Sequence, residues 1–157
     1  YKDILRTKLL GRISQLTMEH HTILFTLEGL KLFSEQGKNI NFPDTLATRF
    51  DIEDRIYILQ KFIDANKNEE DNHFLILDPA KIHTSLNVSI AFTPPSLTFL
   101  MLVRNDGNSM IIPLNEHSLC SSIMDFIQTI PQYGYVCSPE KTNQMLQEEI
   151  EKLRKQL

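Results

Sequence analysis

The stretch from Asp3 to Gln36, DILRTKLLGRISQLTMEHHTILFTLEGLKLFSEQ, decides how this chain is read. Leu9, Ile13, Leu16, His20, Ile23, Leu27 and Leu30 recur in steps of four and three. On an α-helix that spacing puts all seven side chains on one side. An unbroken helix of this length would run roughly 50 Å. A compact domain of the chain's size is only about 40 Å across. Either the helix overhangs and its free end packs on another chain, or it is broken. Thr17 offers a break, as the cap of a second helix starting at Met18. Leu10 and Leu24 broaden the stripe, as a core-facing helix requires. Packing on the chain's own body and pairing with another molecule both stay open. His20 lies in the seam itself. There it is either a partly buried, hydrogen-bonded histidine or a polar residue that sets the register of a dimer.

Gly37 closes this segment, and an anchored connector follows to Asp51. Asp51 caps a helix carrying Ile52, Ile56, Leu59, Phe62 and Ile63 at helical spacing. The polar run Asn66–Asn72 is a solvated loop, since a Ca²⁺-binding EF-hand loop needs a central glycine that is missing here. Strand character follows in Phe74–Leu77, Val88–Phe92, Leu97–Val103 and Met110–Ile112. Asp106-Gly107 between the last two runs predicts a hairpin. A helix from Ser118 to Ile130 is expected to turn Leu119, Ile123, Phe126, Ile127 and Ile130 inward. Tyr135-Val136-Cys137 reads as a short extended piece. Ser138-Pro139-Glu140 is a strong helix start. The exit helix then carries Leu146, Ile150, Leu153 and Leu157 in a narrow row, with charged residues around it. Two readings remain for residues 139–157, a coiled-coil seam or a helix folded back on its own domain.

These elements predict an α+β fold in a single domain spanning 1–157. N-terminal helices lead into a central antiparallel sheet of about four strands, and C-terminal helices follow. Hydrophobic residues make up 41% and charged residues 23%, the balance of a soluble globular chain. A net charge of −4 disfavours direct nucleic-acid binding, which needs clustered Lys and Arg. There is no apolar run of about 18 residues, so no membrane span is expected. No secretory signal is visible, and the expected location is the cytoplasm. The chain begins at Tyr1, which reads as a fragment or processed form. Cys120 and Cys137 are expected to be small buried residues rather than a disulfide pair.

Little chemistry stands out. The five histidines show no metal-ligand spacing, and no metal or cofactor is expected. Glycine-rich phosphate loops and a Gly-x-Ser-x-Gly elbow are absent. Phe92 and Phe99 lack the basic motif of an RNA-binding sheet. His117 and Cys120 are three residues apart at a helix start, where a thiol pKa can fall, but a nucleophile pair also needs a third, orienting group. No catalytic residue is assigned.

The stretch from Phe74 to Ile112 gives a further clue. It runs from Phe-Leu-Ile-Leu-Asp-Pro through Leu-Asn-Val-Ser-Ile-Ala-Phe to the hairpin. In layout it resembles the sensory or effector-binding and dimerisation module of bacterial transcription-regulator and signalling proteins. That resemblance implies a long entry helix, an antiparallel sheet and an exit helix that pairs with its twin. It also implies a separate output domain, and it carries over no functional residue.

The leading expectation is therefore a non-enzymatic regulatory or dimerisation domain of a larger protein. It would form a homodimer through Leu9–Leu30, through Leu146–Leu157 or both, and a small-molecule effector is compatible with it. One alternative is a subunit of a hetero-assembly that binds its partner through the terminal helices. The other is a small-molecule enzyme with a pocket near His117 and Cys120.

Overall fold

The computed structural model of the chain describes residues 4, 7, 11, 22–37, 50–67, 73–82, 86–93, 97–104, 109–114 and 116–157. The elements among them are, in order, β1 (Thr22–Phe25), α1 (Leu27–Gln36), α2 (Ile52–Lys67), β2 (His73–Ile76), β3 (Leu86–Thr93), β4 (Leu97–Arg104) and β5 (Ser109–Leu114). Then come α3 (His117–Thr129), a 3-10 turn (Ile130–Tyr133) and α4 (Pro139–Arg154).

The entry segment is not one helix. Thr22-Ile23-Leu24-Phe25 is a strand, paired in parallel with β2 from Thr22↔His73 to Phe25↔Ile76. β-Branched and aromatic residues favour the extended chain here, and a short apolar run of this kind fits either periodicity. Thr26 then starts α1, its hydroxyl oxygen accepting from the Gly29 amide at 3.0 Å. A break falls at residues 22–26; Thr17 lies outside the described residues.

The expected central antiparallel sheet of four strands is not formed either. The strands divide into the two-stranded parallel pair β1–β2 and a separate antiparallel meander, β3-β4-β5. β2 pairs with β1 along one edge, and the C-terminal end of its other edge meets residues 136–137. The Leu77 amide donates to the Phe25 carbonyl on one side, at 2.8 Å. On the other side the Cys137 amide donates to the Ile76 carbonyl, also at 2.8 Å, and Leu77 bridges Val136. The core is thus mostly helical, with only a two-stranded parallel sheet. The layout behind the regulator resemblance, one antiparallel sheet between entry and exit helices, is not the one observed.

That core is a cluster of Leu30, Leu59, Ile63, Ile76, Leu146, Ile150 and Leu153. α4 lies along α2, and β2 packs against both. Phe25, Phe62 and Phe74 extend the cluster, with the Phe62 and Phe74 ring centroids 4.1 Å apart. Both helices start where their caps place them. Asp51 Oδ1 accepts from the Asp54 amide at 2.9 Å, and Ser138 Oγ from the Lys141 amide at 3.2 Å.

Polar groups taken into this interior find partners, as burial requires. The Asn66 side chain accepts from the Phe74 amide at 2.7 Å. It also donates to the Phe74 carbonyl at 2.9 Å and to Asn143 Oδ1 at 2.8 Å. One amide group thereby joins α2, β2 and α4. Buried Arg55 donates to the carbonyls of Ser34 at 2.6 Å and Asp51 at 3.1 Å. It ties the end of α1 to the start of α2. Gly37, at φ 63°, has no substitute in this corner, because a Cβ there would sit 2.2 Å from the Phe50 carbonyl oxygen.

Residues 78–134 leave this body and return to it at adjacent backbone positions. The Asp78 amide donates to the Tyr135 carbonyl at 2.9 Å. Just beyond, Lys81 Nζ donates to the Gly134 carbonyl at 2.7 Å. The meander and α3 both lie within this excursion. Among the named elements, β3 makes a limited backbone approach to β1 of the body.

Candidate interaction surface

The residues expected to form an interface meet different fates. Leu9, Ile13, Leu16 and His20 lie outside the described residues. Ile23 is in β1, opposite Phe74. Leu27 packs half-buried on the core, and Leu30 is inside it. Leu146, Ile150 and Leu153 are wholly covered within the chain's own core. Leu157 alone of the exit-helix row is open, at 74% exposure. The exit helix has therefore used its apolar row on α2 and β2. It has no seam left to offer a twin between Leu146 and Leu153.

Among the described residues, an exposed apolar face lies on α3. Leu119 is 46% and Phe126 64% exposed, with half-buried Ile123 and Ile130 between and beyond them. The inward orientation expected of Leu119 and Phe126 is not observed. The sequence held a signal for this. From Phe126 round to Met124, the apolar positions of this helix span about 160° of its circumference at 100° per residue. A single contact stripe takes about 100°. One contact cannot cover them all.

Charge sets α3 apart as well. Among residues 117–129 only Asp125 is charged, and at helical spacing it lies off the Leu119–Phe126 face. α4 carries seven charged residues over its own length. The solvent side of α4 is made for water, whereas that of α3 is apolar and serine-rich.

Glu116 holds the start of α3, one residue before His117. Its carboxylate accepts from the Leu119 amide at 2.5 Å and from the Ser118 amide at 3.0 Å. Those two bonds, the Leu119 one foremost, hold its carboxyl below the usual carboxylate range. A group whose folded pKa is depressed stabilises the fold above its unfolded pKa, and the contribution fades as pH falls through the folded value. Backbone amides of the first turn of α3 should therefore exchange faster as pH drops below the ordinary carboxylate pKa, after correction for intrinsic rates. Glu116→Gln should flatten that pH dependence. Hydrogen exchange over a pH series checks it.

The remaining chemistry is sparse. His117 stands exposed at the first position of α3. Cys137 is a free, buried thiol at 3% exposure. Among the described residues, no three His, Cys, Asp or Glu side chains converge as metal ligands would. Among them too, no helix is long and apolar enough to cross a membrane. No protein-family model matches the chain, and no curated protein or solved structure is significantly similar to it.

Proposed function

We propose that this chain is a non-enzymatic self-association module, of the kind that serves a larger regulatory protein, and that it pairs through α3. The observation that carries this reading is the exposure of Leu119 and Phe126 on one face of an almost uncharged helix. A face without charge suits a partner face without charge, and a second copy supplies one. Acidic or basic partners would find nothing complementary on it. The body built by α1, α2, β1, β2 and α4 acts as the rigid base from which the excursion presents this face.

Sedimentation velocity over a concentration series tests the proposal. Wild-type protein should dimerise at micromolar concentration. Burying Phe126 in each copy contributes about 1.5–3 kcal/mol, so Phe126→Asp should weaken the dimer by at least about 100-fold. Its unfolding midpoint should stay close to that of the wild-type monomer, because the side chain is outside the core. Ser121→Asp, an exposed position off the face, should change neither property. A wild-type chain that stays monomeric at about 100 µM, a millimolar-or-weaker association, would overturn the reading. So would a Phe126→Asp variant that dimerises normally.

A further inference from the structure

We draw no further inference here: the strongest candidate, the exposed Ser138 in the Ser138-Pro139-Glu140-Lys141 start of α4, rests on a helix N-terminus whose serine already serves as the cap, and among the described residues no second feature there points to a ligand.

Discussion

Replacement of residues 79–134 by Asn-Gly should leave a folded, cooperatively unfolding protein that no longer dimerises. The geometry at the excursion's base makes the joint a natural one. Leu77 and Val136 are bridge partners, and the Asp78 amide donates to the Tyr135 carbonyl. Asp78 and Tyr135 are thus the flanking pair of a two-residue hairpin, for which Asn-Gly is the preferred turn. Among the residues whose side chains are described, no member of the buried core cluster comes from the deleted segment. What remains exceeds the roughly 60 residues at which single domains become marginal. Removing so long a closed loop also reduces the entropy cost of bringing its ends together by about 3 kcal/mol. That gain opposes the loss of the β3 approach to β1. Circular dichroism on heating should show one cooperative transition, and Cys137 should stay protected from thiol reagents in native buffer. A chain without a cooperative transition, or with a freely reactive Cys137, would show that the body depends on the excursion.

Ile150→Asp should unfold the protein rather than merely dissociate a dimer. Ile150 is wholly covered, in the cluster that joins α4 to α2 and β2. The substitution removes about 1.5–3 kcal/mol of apolar burial. It also places a carboxyl where no partner waits, which costs roughly another 2 kcal/mol or more even if the group is neutralised. A domain stable by about 5–15 kcal/mol loses much or all of its margin to that sum. The thermal transition should vanish or fall by tens of degrees. Phe126→Asp, the same kind of change on α3, should leave the transition in place. A seam between molecules along the exit helix would give the opposite pattern, with Ile150→Asp a stable monomer.

Local signals in this chain were legible because local physics makes them. Asp51 before an acidic first turn, and Ser138 before Pro139, mark helix starts, and the helices begin there. The runs at residues 97–103 and 110–112 are strands paired antiparallel with each other, as Asp106-Gly107 between them implies. The strand at Thr22–Phe25 was hidden. Ile23, Leu27 and Leu30 happen to fit a helical stripe, and four residues cannot distinguish a period of two from one of 3.6. Its parallel pairing with β2 was hidden too, because it depends on α1 and α2 folding back between the two strands.

The candidate site was the less legible part, for a related reason. Spacing reveals that a helix has an apolar face, but not what covers it. Leu146, Ile150 and Leu153 form a narrow row in a charged helix, which is the look of a coiled coil, yet α2 and β2 cover it. Leu119 and Phe126 lie on a broad face in an almost uncharged helix, which is the look of a core helix, yet they are open. The contrast in charge between the two helices pointed away from the free surface, since water-facing charge on α4 says nothing about its inner row.

Hydrogen exchange read by mass spectrometry at low and high protein concentration tests these assignments together. Peptides from α3 should gain protection as concentration rises through the dimer range. Peptides from α2, β2 and α4 should be strongly protected and unchanged across the same series. Concentration-dependent protection in α4, with α3 unaffected, would place the association at the exit helix and contradict both the buried row and the open face described above.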